Sequence, residues 1–287
     1  MTANKTYFGK AVASFMLVLL TMPLGHALMI IMEHTMNPGP LHACAFAMGF
    51  AGMLLTVLGI FIKGDLRQTL CGLFGGLLFW TGWVEFLFQY YADRFGMQPF
   101  EDPVTGKVTQ PEYLILPASF GFLMMFLLLY LFSIRSGCNF FNWCQKRLMG
   151  KKRDLIVARP MTRHTSLVTF MELNLMMWAS YVLLMFCYDT NFLGDTHPVT
   201  LTLAGTCLVG SMFIFLKQTR IPSWGANIRM AIATVLVFWT FVEILGHIGM
   251  LNEIWVAPMQ HIAEMAVLSI VFIALGTYTL YESFRKT

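Results

Sequence analysis

Charge is the scarcest property of this chain. Asp, Glu, Lys and Arg make up 12% of its 287 residues, against roughly 25% in soluble globular domains. So few charges cannot clothe a water-exposed surface, and a soluble globular protein is excluded. The motifs of soluble catalysis are missing too: there is no Walker-type phosphate loop, no GxSxG elbow, no HExxH helix and no GxGxxG after a strand. Nucleotide chemistry of the soluble kind is therefore not expected. The six cysteines, at 44, 71, 138, 144, 187 and 207, form no CxxC pair. They read as small buried apolar residues, with no disulfide framework.

What the chain does have is apolar surface: 57% of residues are hydrophobic and mean hydropathy is +0.66. About 20 apolar residues are needed to cross a bilayer. Measured against that length, the apolar runs predict an all-α, eight-helix, polytopic membrane bundle forming one transmembrane domain over 1–287. The spans are about 11–33, 42–62, 70–91, 114–134, 166–188, 199–217, 229–252 and 257–281. The first follows Lys5 and Lys10 as a secretory signal would, but its apolar run is too long and lacks a small-x-small cleavage site, so it reads as a mature helix.

Basic residues orient the bundle, because loops rich in Lys and Arg stay cytoplasmic. With the N-terminus inside, 17 of the 19 basic residues fall on the inner side and only Arg94 and Lys107 on the outer. Both termini and the 135–165 loop are then cytoplasmic, while 92–113 is outside, in a bacterium on the periplasmic side of the inner (plasma) membrane. In a cysteine-free background, Thr105→Cys should react with an impermeant thiol reagent on intact cells and Lys151→Cys should not. The reverse labelling pattern would overturn the orientation.

The net charge of +4 requires no nucleic-acid partner. The basic block "QKRLMGKKRDLIVARPMTRH" lies in the inner loop, placed to meet anionic lipid headgroups, with Phe140, Phe141 and Trp143 as interfacial anchors. Docking of a partner protein is the other use of such a segment. Of the four outer turns, 34–41, 92–113, 189–198 and 253–256, only the second is long enough to fold over the outer face, and its Pro and Gly make it a turn-rich loop. A faint internal echo is also present: "FWTGWVEFL" at 79–87 resembles "FWTFVEIL" at 238–245 with one residue dropped, setting Glu85 opposite Glu243 and Gln89 opposite His247. Binding sites in multi-span proteins often lie where repeats meet.

The polar residues of the spans are one-sided. Histidines 26, 34, 42, 197, 247 and 261 lie in the outer half of a span or in an outer turn, with only His164 inside, and eleven of the fifteen acids share that outer half. At 1.5 Å rise per residue, His26, Glu85, Glu243, His247, His261 and Glu264 sit about 5–14 Å below the outer surface, in one layer. Glu243 and His247, four apart, share a helix face with Met250. His261, Glu264 and Met265 share another, as His26 does with Met29 and Glu33. An outer turn of about four residues would put the faces of spans seven and eight side by side.

Ionisable groups at that depth cost ~2.5–3.5 kcal/mol each unless something compensates. Three compensations fit. The first, and the one the sequence favours, is a transition metal (iron, copper or zinc) in a metal-handling or redox protein, with His26, Glu85, Glu243, His247, His261 and Glu264 as ligands. Haem held by His26 and His247 is its weaker version, since haem needs no acids in the layer. The second is a proton-coupled secondary transporter, or permease, with Glu85 and Glu243 as proton carriers and Glu172 as a relay toward the inside. The third is an accessory subunit of a membrane complex whose polar network only orders its own bundle. A homo-oligomer is compatible with all three, and no single motif separates them.

Overall fold

The computed structural model describes residues 6–101, 106, 108–109, 115–133, 139–149, 164–189 and 192–285. The chain is a multi-pass membrane protein whose described residues are helical and turn-forming apart from one short antiparallel pair, Phe100–Glu101 with Val108–Thr109. Among the described residues, seven helices are long and apolar enough to span a bilayer: α1 (Phe8–Thr35), α2 (Pro38–Phe61), α3 (Asp65–Arg94), α6 (Thr165–Tyr188), α7 (Pro198–Gln218), α8 (Trp224–His247) and α9 (Ile262–Arg285). The eighth apolar run forms a shorter helix, α4 (Phe120–Ser133), entered through a 3-10 turn at Leu116–Ser119 that contains Pro117. Helix α5 (Asn139–Met149) begins the basic inner segment. Much of the rest of that segment lies outside the described residues, as do the side chains of Phe140 and Phe141. Trp143 of α5 has Arg147 and Lys217 over its ring, at 5.8 and 5.3 Å.

In lipid the hydrophobic effect does not drive helices together, so close association depends on small residues that let backbones meet. Helices α2 and α3 show this. A Cβ at Gly52 would run into the backbone of Gly75, Leu78 and Phe79, and one at Gly82 into the backbone of Ala45 and Gly49. Gly72 does the same for α3 against the Ser166 carbonyl of α6. Leu17, Leu73, Leu173, Ile228 and Ile232 are all but fully buried and fill the end of the bundle where α1, α3, α6 and α8 begin.

The packing has a repeat. Helix α2 lies along α3 as α7 lies along α8; α1 packs on α8 as α6 packs on α3; α9 packs on α1 as α4 packs on α6. The first residues of α3 and α8, Asp65 and Trp224, stand at the same offset along the chain as Trp80 and Trp239 of the echoed motif. The residue by which the two motifs differ falls in a π-helical turn, Trp80–Glu85, inside α3. A π-turn is how a helix absorbs one inserted residue without losing its downstream register.

The end of α8 departs from the sequence reading. The seventh span was expected to reach 252 and the eighth to begin at 257, but α8 stops at His247 and α9 begins at Ile262. Gly249 takes φ +78°, the Gly249 amide donates to the Gly246 carbonyl and the Met250 amide to the Leu245 carbonyl, a left-handed glycine termination. The connection is thus a run of turns over 248–261, not a four-residue hairpin. Helix α9 does not lie beside α8 along its length but packs on α1.

Candidate functional site

At the end of the bundle that the charge bias assigns to the outside, a cavity of about 700 Å³ opens between α1, α3, α6 and α8. Its walls follow the repeat. Met22, His26 and Met29 of α1 are separated along the chain from Tyr181, Met185 and Tyr188 of α6 by a constant offset, which Glu85 and Gln89 keep to Glu243 and His247 save for the skipped residue. All of these side chains line the cavity. The segments 96–99 and 253–256 supply its rim.

Several of these polar side chains are tied to neighbours. His26 Nδ1 lies 3.1 Å from Glu85 Oε1, joining α1 to the end of the π-turn in α3. Pro23, one turn beneath His26, takes a backbone hydrogen bond out of α1 near this pair. The Trp239 indole donates to Glu243 Oε1 at 2.6 Å, a link made within α8 because the two are four residues apart. Gln89 hydrogen-bonds Glu33. The His247 ring lies flat on Tyr188, centroids 3.8 Å apart, with its Nε2 3.9 Å from Asp195 Oδ2. Trp239 and Trp255 meet with centroids 5.0 Å apart, and Tyr181 stacks on Trp80 at 5.9 Å.

Of the residues singled out from sequence, His26, Glu85, Glu243 and His247 line this cavity together. His261 and Glu264 do not: they pair with each other at 3.6 Å at the start of α9, with most of the Glu264 side chain exposed. The reason is the early stop of α8, which moves the start of the last helix away from α8. His42 packs against Phe86 and Tyr90, and His197 caps α7 by accepting from the Val199 amide. Glu172 is a separate site in the inner half, buried and accepting a hydrogen bond from the Tyr130 hydroxyl at 2.9 Å. Among the described residues no three His, Cys, Asp or Glu side chains are grouped as a metal-ion site, and the five described cysteines are free thiols.

Glu253 and Trp255 belong to the site although the sequence pattern places them in a water-facing turn. Gly246 makes room for Glu253, whose carboxylate occupies the space a Cβ there would take. The paired glycines 246 and 249 are the signal that could have found them. Asp195, almost fully buried behind His247, gives none, since nothing in its sequence surroundings distinguishes it from a loop acid.

The cavity is rich in acids. Glu33, Glu85, Asp93, Glu243 and Glu253 are all in its lining together with His26, His34 and His247, and among the described residues that line it there is no Lys or Arg. Ionised carboxylates in a pocket walled by low-dielectric protein raise the local concentration of cations. No protein-family model matches the chain, and neither does any curated protein or solved structure.

Proposed function

We propose that the protein binds a small cation from the outer side and passes it across the membrane as a proton-coupled secondary transporter, or permease. The observation that carries this reading is the acid-lined cavity, whose described lining includes five carboxylates and no Lys or Arg. Two further features support it. The half beneath the cavity is filled by the buried Leu17, Leu73, Leu173, Ile228 and Ile232, and Arg229 of α8 is tied there to Asp65 of α3 at 3.0 Å and to the Thr69 hydroxyl. That arrangement suits a carrier resting open to the outside. Glu85 and Glu243, on the two echoed helices, are then the groups that exchange a proton for the solute's charge, and Glu172 is the acid the inner-facing state would use.

The test is proton movement. Protein reconstituted in liposomes loaded with a pH-sensitive dye should move protons across the membrane when organic ammonium or divalent metal cations are added to the outer face, and none with matched anions. Glu85→Gln and His247→Ala should diminish it several-fold, while His164→Ala and His261→Ala leave it unchanged. Silence toward every cation in the panel would sink the reading.

Transition-metal handling or redox chemistry is the second reading. What favours it is that the thioethers of Met22, Met29 and Met185 line the same cavity as the imidazole of His26. Soft sulfur with imidazole suits copper, and carboxylate with imidazole suits iron or zinc. Haem on His26 and His247 is less well matched, because it gives no role to the carboxylates of Glu33, Asp93, Glu243 and Glu253 in the same lining. Elemental analysis and a visible spectrum of protein purified in mild detergent separate both from the transporter reading. Co-purification of a fixed partner would instead favour the accessory subunit.

A further inference from the structure

We infer that the cation is an organic ammonium carried on an apolar body, rather than a bare metal ion. This rests on the cation-binding reading above and narrows it.

Size comes first. A cavity of about 700 Å³ falls within the roughly 300–1,000 Å³ range that encloses drug-sized molecules. A bare ion would fill a small part of it and would need several ligands on one point, a grouping not found among the described residues.

The walls come second. Carboxylates reach the cavity from α1, α3, α8 and the 253–256 turn, and the aromatic rings of Tyr181, Tyr188, Trp239 and Trp255 stand among them. Carboxylate beside Trp and Tyr faces is the chemistry that holds alkylammonium groups, since the ring quadrupole attracts a cation whose charge is spread over N–H or N–CH groups. A small, strongly hydrated metal ion gains little from such rings.

Unsatisfied polar atoms come third, and they are independent of the acid count. Tyr188 has 9% of its surface exposed, yet its buried hydroxyl has no hydrogen-bond partner among the described residues; Glu33 Oε1 is in the same condition. Both residues line the cavity. Buried polar groups left unpaired are costly, and an entering group that pairs them recovers that cost. An ammonium offers several N–H donors, which matches two oxygens able to accept.

The experiment is calorimetric titration of the whole protein in lipid nanodiscs with three probes: 2-phenylethylammonium, its neutral analogue 2-phenylethanol, and Zn²⁺. The ammonium should bind saturably and roughly tenfold or more tighter than the alcohol, a difference set by its charge. Tyr188→Phe, which removes only the hydroxyl, and Trp255→Leu, on the rim, should each weaken the ammonium several-fold with the melting temperature unchanged. Equal binding of alcohol and ammonium, or ammonium affinity untouched by both variants, would overturn the inference. Zn²⁺ binding without ammonium binding would overturn it while leaving the cation reading standing. If neither cation binds, both fall.

Discussion

Glu243→Gln is expected to cost the cavity most of its cation affinity while the bundle stays folded. The substitution keeps the size of the side chain, and its amide oxygen can still accept from the Trp239 indole that now bonds Glu243 at 2.6 Å. What it removes is the charge. Glu243 faces Glu253 and His26 across the cavity, so the change alters the field at the point where three elements meet: α8, the turn after it and α1. A charge-assisted hydrogen bond in a desolvated site is worth roughly 1.5–3 kcal/mol, or about 10- to 100-fold in affinity. Under the transporter reading, Glu243→Gln should also uncouple cation uptake from the pH gradient, because Gln cannot exchange a proton. Under the metal reading it should release bound ion. A purely structural network predicts the opposite sign in stability, since a neutral amide is less costly to bury than a carboxylate. Titration with 2-phenylethylammonium, metal content and melting temperature on this one variant separate the three. Unchanged affinity together with a raised melting temperature would assign Glu243 to structure.

How much of this is legible beforehand depends on which physical signal each residue leaves in a sequence. The helices are readable because the bilayer imposes a length and a hydropathy that few other structures satisfy, so the eight apolar runs correspond to seven long helices and one shorter one. The clustering of His and Glu toward one end is readable because depth follows from counting along a helix. Which faces meet is not, since periodicity states that Glu243 and His247 share a face and says nothing of what that face opposes. The extent of α8 escapes for a related reason. Ile248, Met250 and Leu251 continue the apolar run, and hydropathy cannot see that Gly249 leaves the helix in a left-handed turn. That one error carries His261 and Glu264 to the wrong neighbourhood and leaves Glu253 and Trp255 out of the site.

The internal echo is the instructive case. Taken as a string, two Phe- and Trp-rich segments that match with one residue skipped carry little weight. In the structure the skipped residue has a physical place, the π-turn of α3, and the residues following it, Glu85 and Gln89, line the same cavity as their counterparts Glu243 and His247. The asymmetry between the halves is equally telling. Where α1 offers Met22, His26 and Met29, α6 offers Tyr181, Met185 and Tyr188, so one wall is imidazole and thioether and the facing one largely aromatic. A duplicated frame with differentiated walls is an economical way to enclose a solute that is charged on one side and apolar on the other.

Gly52→Leu should be the most damaging single change to the fold. Helices α2 and α3 approach so closely at this point that any Cβ on residue 52 would overlap the main chain of Gly75, Leu78 and Phe79 rather than a movable side chain. Backbone cannot swing aside as a rotamer can, so the two helices must separate. Separation would also open the close approach at Gly49 and Gly82 further along the same seam, and Gly82 lies inside the π-turn that leads to Glu85. Overpacking a well-filled interior costs about 1–3 kcal/mol and more where main chain is forced apart, and at roughly 2–4 °C per kcal/mol a loss of about 3 kcal/mol lowers the melting point by roughly 10 °C. Gly205→Leu on α7 is the matched control, because a Cβ there meets nothing within 4 Å. It should leave the melting temperature in detergent within a degree or two of the parent, the size of effect expected of an exposed site. Ammonium binding should fall in Gly52→Leu even below its melting temperature, as Glu85 loses its position opposite His26. A Gly52→Leu protein as stable as Gly205→Leu, with cation binding intact, would mean that the α2–α3 seam neither holds the bundle together nor sets the π-turn that places Glu85.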